Sequence, residues 1–581
     1  MRIMKGIPAS PGISIGKVFL YSTQTLNVPS YSIDEEEVAG EIVRFNNAID
    51  KVQQDLEELV EITRETAGKK DLEIIETHLM MIEDPDLKNQ ITQGIAEEGK
   101  NAEHIVEYTI SMMTKTLEDA ADEYLKERVV DLIDIQSRIL HHLMYIERTS
   151  LVDIEEEVIL VAQTLLPSEV LTMNKKFIKG IVLDAGGKTS HTAILARSFE
   201  IPAVLGLSTI TKKVRNGNTI IVDGNQGDVI LRPGKNTVDD YKLRQGKWIK
   251  HEQELLLLHK LPAETTDGHR VLLKANIEIP EEVASTIAHG ASGIGLYRSE
   301  FLFLRPGDVA SEEEQFDAYA YVLKHMKGKG PVTIRTIDVG GDKVIPGMED
   351  FDEENPILGW RAVRFCLSRT DIFRIQLRAM LRASVFGSLK IMFPMISGGE
   401  ELESVLQVLE EVKDDCRREK IPFDENIQIG SMIEVPSAAL ISDIIARKVD
   451  FLSIGTNDLI QYTIAVDRGN EKIAYLYQPF HPGVLRFLKM IIDNGHKAGI
   501  PVAMCGEMAS DPISTVLLLG LGLDEFSMSP TAVLEVKKII RSVTIVEARE
   551  LAATIMKMDS CTKIDEYVRE WSNERFDFFS T

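Results

Sequence analysis

The chain has 581 residues, 44% hydrophobic and 27% charged, the balance of a globular protein built from about three or four domains. Asp and Glu number 91 against 65 Lys and Arg, and the resulting net charge of −26 argues against nucleic acid or an anionic membrane as partner and favours a basic protein. The four cysteines are scattered without metal-ligand spacing. There is no signal-peptide core and no apolar run of ~18 residues, so neither a disulfide framework nor a membrane span is expected, and the expected location is cytoplasmic.

Residues 6–20, GIPASPGISIGKVFL, read as a turn-rich start running into a strand. An acidic helical region begins at SIDEEEV. Its first helix sets Ile42, Phe45, Ile49, Val52, Leu56 and Leu59 on one face at spacings of three and four. Helical segments at 71–83, 86–99 and 101–147 follow, broken at Asp84-Pro85 and Gly99, and predict a bundle inserted between residues 33 and 147. From residue 158 short apolar runs (VILVAQ, GIVLDA, IPAVLG, TIIVDG, DVIL) alternate with turns, giving a small α/β unit closed near residue 231. Residues 236–262 read as one charged connecting helix.

Eight strand candidates then appear in order: 271–278, 293–301, 332–338, 389–395, 427–434, 451–458, 502–507 and 525–530. Helix-like stretches separate most of them. Eight strand–helix alternations over ~260 residues are the count and length of a (β/α)8 barrel, whose catalytic face lies at the C-terminal ends of its strands.

Within the α/β unit, GGKTSHTAILAR (186–197) places His191 after a glycine pair. Thr189 and Ser190 suit an N-cap, and Ala193, Ile194, Ala196 and Phe199 suit a packed helix that stops before Pro202. His191 then lies in the first turn, where the helix dipole opposes imidazolium and favours an incoming anion. That fits a nucleophile for a phosphoryl group; an incidental surface histidine fits the same local pattern.

On the barrel rim, Glu434 ends strand five and Asp458 ends strand six, a carboxylate pair suited to a hard divalent cation. Arg298, Arg335, Lys343, Arg361 and Arg468 gather on that rim. Guanidinium groups grip phosphate and carboxylate in bidentate fashion, so a metal-bridged phosphorylated acid is the expected substrate. Cys505 ends strand seven, either as a proton donor to a carbanion-like product or as a small buried apolar residue.

With these segments assembled, the chain resembles the Enzyme I family of the bacterial sugar phosphotransferase system, the phosphoenolpyruvate–protein phosphotransferases. The likeness runs through GIPASPGISIGK, GGKTSHTAILAR, GIGLYRSEFLFL, RTIDVGGDK, ENPILGWRAVR, MIEVPSA, GTNDLIQYTIAVDR, FHPGV and MCGEMA, in the family's order. It implies an α/β phosphohistidine domain (1–32 and 148–232) with an inserted helical HPr-binding domain (33–147). A linker helix (233–262) and a (β/α)8 barrel that binds phosphoenolpyruvate and forms a homodimer (263–581) complete the chain.

The resemblance also implies Mg²⁺ held by Glu434 and Asp458, with Arg298, Arg335, Lys343, Arg361, Asn457 and Arg468 gripping the substrate. His191 accepts the phosphoryl group and passes it to HPr. HPr is basic around its histidine, and Glu73, Glu76, Glu83 and Asp84 supply matching acids in the bundle. One departure stands out: Leu166 and Val170, in LLPSEV, occupy the family's threonine places, and Val170 cannot hydrogen-bond the active histidine. Two alternatives remain beside this reading. One is a dikinase- or phosphoenolpyruvate-synthase-like enzyme that needs a separate nucleotide-binding chain; the other is a non-catalytic phosphoenolpyruvate sensor.

Overall fold

Two strand patterns build two units, residues 1–252 and 253–581, in a computed structural model. It describes residues 2–21, 28–66, 78–118, 123–145, 151, 154–165, 173–174, 176–187, 191–199, 201–303, 309–340, 355–468, 470 and 472–576.

The first unit contains an eight-stranded mixed sheet. Its strands are β1 (Arg2–Lys5), β2 (Ile7–Ser10), β3 (Ile13–Leu20), β4 (Val158–Ala162), β5 (Ile178–Leu183), β6 (Ala203–Leu205), β7 (Thr219–Asp223) and β8 (Asp228–Leu231). They lie in the order β1-β8-β7-β3-β4-β5-β6-β2, with β3 to β6 parallel and the rest antiparallel. Both faces are covered, which is why β4 reads as an unbroken apolar run. Leu160 and Ala162 join one core with Ala193 and Ala196, while Ile159 and Val161 join another with Ile220 and Val222.

Helices Glu35–Thr66, Pro85–Glu98, Ala102–Glu118 and Glu123–Leu143 fill the stretch between β3 and β4. Phe45, Ile49, Val52 and Leu56 are fully buried in their shared core and Ile42 packs at its edge; the side chain of Leu59 lies outside those described. Residues 78–83 of the expected 71–83 helix are helical, and 71–77 lie outside the described residues. Pro85–Glu98 has its expected signals, an Asp84 side chain capping Asp86 N and Gly99 at φ 57°. The expected single segment 101–147 is instead two helices, with Ile105, Val106 and Ile110 of one meeting Leu132, Ile135 and Ile139 of the other in one core. No Gly or Pro marks that break in the sequence. The connector helix is shorter than read, Lys235–Leu256, and residues 257–260 form turns ahead of Pro262.

The second unit is a closed parallel barrel of β9 (Leu272–Ile277), β10 (Ile294–Arg298), β11 (Val332–Arg335), β12 (Leu389–Phe393), β13 (Gln428–Ile433), β14 (Phe451–Ile454), β15 (Val502–Met504) and β16 (Glu525–Met528), with β16 pairing β9. All eight expected strands are present, and each ends one to four residues earlier than read. Glu278, Asp338, Glu434, Asn457, Asp458 and Cys505 are among those surplus residues, placed past the strands at the C-terminal end of the barrel, while Arg298 and Arg335 are the last residues of their strands. Leu296, Met392, Met432, Phe451 and Cys505 fill the lumen. A buried Lys274–Glu525 ion pair at 2.5 Å bridges β9 and β16.

Candidate active site

His191 is the first residue of the helix His191–Ser198, as its flanking sequence predicts. Gly186 before it holds φ 102°, a backbone state that glycine adopts without strain. Buried Thr192, Ala193 and Ala196 anchor the helix, and Ser10 Oγ donates to the Ala196 carbonyl at 3.3 Å. The His191 side chain lies outside those described, as do Lys188, Thr189, Ser190, Leu166, Val170, Lys343, Glu73 and Glu76.

In the barrel unit, two expected substrate arginines share one carboxylate. Arg335 ends β11 and Arg361 follows the short helix Pro356–Leu358. Asp338 accepts Arg335 Nη1 on one oxygen and Arg361 Nη2 on the other, both at 2.9 Å. Arg335 Nη2 also meets Glu300 Oε1 at 2.5 Å. Arg361 Nη2 lies 3.4 Å from Asp458 Oδ2, and its Nη1 donates to Tyr462 Oη at 3.3 Å. Both guanidinium groups are buried, and among the described residues neither Nε has a partner. Burial is the largest influence and works against their charge, but the surrounding carboxylates together outweigh it, Asp338 and Glu300 at Arg335 and Asp338 and Asp458 at Arg361; both stay cationic. The arrangement presents two guanidinium charges held in place by carboxylates.

Gly340 makes room for this arrangement. A Cβ on it would fall 2.6 Å from Arg361 Cβ, and its φ is 99°.

Glu434, just past β13, is buried with Oε1 accepting Met395 N at 2.6 Å. Met395 holds φ 55°, unusual for a non-glycine residue, to aim that N–H. The turn after β14 brings Gly455 against the same carboxylate: a Cβ there would sit 2.6 Å from Glu434 Oε2. Burial pushes the Glu434 carboxyl well above the ordinary range, Asp458 and Asp338 push it further, and Arg335 and Arg361 oppose them. Such an excess of negative charge at buried oxygens fits a divalent cation. Among the described residues no group of three or more His, Cys, Asp and Glu side chains has metal-binding geometry, so substrate and water oxygens would complete the shell.

The outer rim is looser. Arg298 Nη1 pairs with Glu278 Oε1 at 2.7 Å, Asn457 exchanges two hydrogen bonds with Glu507, and Arg468 lies 3.6 Å from Glu507. Cys505 is buried just past β15. Ser453 Oγ donates to its sulfur at 3.3 Å, and burial raises the thiol pKa, which Ser453 only partly offsets.

Glu300, Asp338, Met395 and Tyr462 were not singled out by sequence reasoning. The signals were faint: Glu300 and Asp338 follow arginines in RSE and RTID, and Tyr462 lies four residues after Asp458 on the helix Thr456–Ile464.

Comparison with known proteins meets this geometry at three places. The family model described as "PEP-utilising enzyme, PEP-binding domain" matches residues 252–545, "PEP-utilising enzyme, mobile domain" matches 154–227, and "PEP-utilising enzyme, N-terminal" matches 5–128. A phosphoenolpyruvate-protein phosphotransferase of Priestia megaterium is 44% identical over 97% of this chain and 98% of its own length. The chain belongs to the phosphoenolpyruvate-protein phosphotransferase family. Its relative in Bacillus subtilis (strain 168) is 43% identical over 98% of this chain and 100% of its own. A solved structure titled as Enzyme I (nEIt) is 42% identical, covering 42% of this chain and 99% of that one, with a TM-score of 0.39. The family membership makes this chain a phosphoenolpyruvate-dependent phosphotransferase, and end-to-end matches to phosphotransferases favour it over the dikinase-like alternative. Among the described residues no helix is long and apolar enough to cross a membrane.

Proposed function

We propose that this phosphotransferase moves the phosphoryl group of phosphoenolpyruvate onto His191 and then onto a histidine of the basic carrier HPr, the first step of sugar uptake. The observation that carries the substrate half is the Asp338-bridged pair Arg335–Arg361 beside Glu434 and Asp458 on the barrel rim. Arg335 and Arg361 hold the substrate's anionic groups, joined by Arg298, Lys343, Asn457 and Arg468. Glu434 and Asp458 would hold Mg²⁺, which would supply charge stabilisation for phosphoryl transfer. The bond from phosphorus to the enol oxygen breaks as a nitrogen of His191 bonds to phosphorus. The enolate left behind takes the Cys505 thiol proton at carbon and becomes pyruvate. Burial suits Cys505 to that task, because it keeps the thiol protonated.

The domain bounds given by the resemblance, the barrel homodimer and a cytoplasmic site belong to the same proposal. Glu434→Ala and Asp458→Ala should each lower turnover at least about a hundredfold, with little rescue by added Mg²⁺. Near-normal steady-state rates in both variants would contradict the assignment of the metal site.

A further inference from the structure

Arg361 lies 3.4 Å from Asp458, yet no strand holds it. It follows a single turn, Pro356–Leu358, and precedes Ala362, which sits at φ 51° and ψ −126°. A non-glycine residue in that conformation persists only where surrounding contacts impose it. One side chain reaches both the guanidinium and the segment before it. The Ile357 carbonyl can only accept, so the Tyr462 phenol donates its proton there, at 2.6 Å. The phenol oxygen is then left to accept Arg361 Nη1 at 3.3 Å. Among the described residues Nη1 has no other acceptor, while Nη2 serves Asp338 and Asp458. Tyr462 stands one turn beyond Asp458 on the helix Thr456–Ile464, so its hydroxyl links the Arg361 segment to the helix that carries this carboxylate.

We propose that Tyr462 is a positioning residue for the phosphotransfer reaction: its hydroxyl fixes Arg361 in register with Asp458, so that the guanidinium is set for the substrate anion before it arrives. The proposal rests on the reading of Arg361 as a substrate ligand. Tyr462→Phe removes one oxygen and keeps the ring. It should raise KM for phosphoenolpyruvate roughly five- to tenfold while kcat changes less than about twofold. In an Arg361→Ala background the same change should shift KM by less than about twofold, because the group it orients is gone.

A wild-type KM in Tyr462→Phe, alongside a raised KM in Arg361→Ala, would overturn the positioning role and leave the substrate site intact. Equal KM increases in both backgrounds would also overturn it, since a merely structural tyrosine acts whether or not Arg361 is present. An unchanged KM in Arg361→Ala would remove the substrate-ligand reading itself, and the proposal with it.

Discussion

Cys505 shows how environment decides what a residue can do. Its sulfur is enclosed in the barrel lumen with Leu296, Met392, Met432 and Phe451, so the thiolate is disfavoured and the proton is retained. A raised thiol pKa means less thiolate at every pH below it. Cys505 should therefore be alkylated by iodoacetamide much more slowly at neutral pH than half-exposed Cys561, as read by peptide mass spectrometry. Cys505→Ala should depress pyruvate formation and proton exchange into the pyruvate methyl group far more than single-turnover phosphorylation of His191. Normal exchange in that variant would reduce the thiol to packing. Arg335, Glu434 and Cys505 were legible as rim positions because a charged or reactive side chain at or just past the end of an apolar strand breaks its pattern, whereas Asp458, read as the end of a strand, lies instead in the first turn of the helix Thr456–Ile464. Asp338 and Tyr462 were not: an acid three residues after an arginine, and a tyrosine on an amphipathic helix, are ordinary until the fold brings them to Arg361.

Elements were legible where punctuation marks them and less so where only packing does. Asp84-Pro85 and Gly99 frame a helix in sequence and in space. The pair Ala102–Glu118 and Glu123–Leu143 merged in the sequence reading because its periodicity crosses a break free of Gly and Pro. Strand ends were overread because alternation continues past the last ladder bond, where turn geometry and not hydrophobicity decides. The capping role of Asp84 also divides the proposed docking acids of the bundle into two kinds. Asp84→Lys removes a side-chain cap and should cost about 1 kcal/mol of stability in addition to any charge effect. Glu83 is exposed, and among the described residues its carboxylate accepts from Gln53 Nε2 at 3.0 Å, so Glu83→Lys isolates the charge. Stopped-flow transfer to HPr should slow in Glu83→Lys through the association rate, with the difference shrinking at high salt, while autophosphorylation holds. Equal slowing of both half-reactions would make that acid structural.

At the scale of the whole molecule the division of labour is written in charge and architecture. A net charge of −26 suits the proposed hand-over to a basic partner, while the barrel rim concentrates arginines among carboxylates, as the proposed binding of an anionic substrate requires. The proposed acceptor His191 lies in the mixed-sheet unit and the proposed substrate ligands lie in the barrel unit, so losing the acceptor should leave the substrate site intact. Incubating the full chain with phosphorus-labelled phosphoenolpyruvate and Mg²⁺, then mapping the acid-labile phosphate, tests that division most directly. The label is predicted on His191 alone, absent from His191→Ala, with phosphoenolpyruvate binding to that variant unchanged by calorimetry. Label at wild-type level on His191→Ala, or on any other residue, would contradict the account.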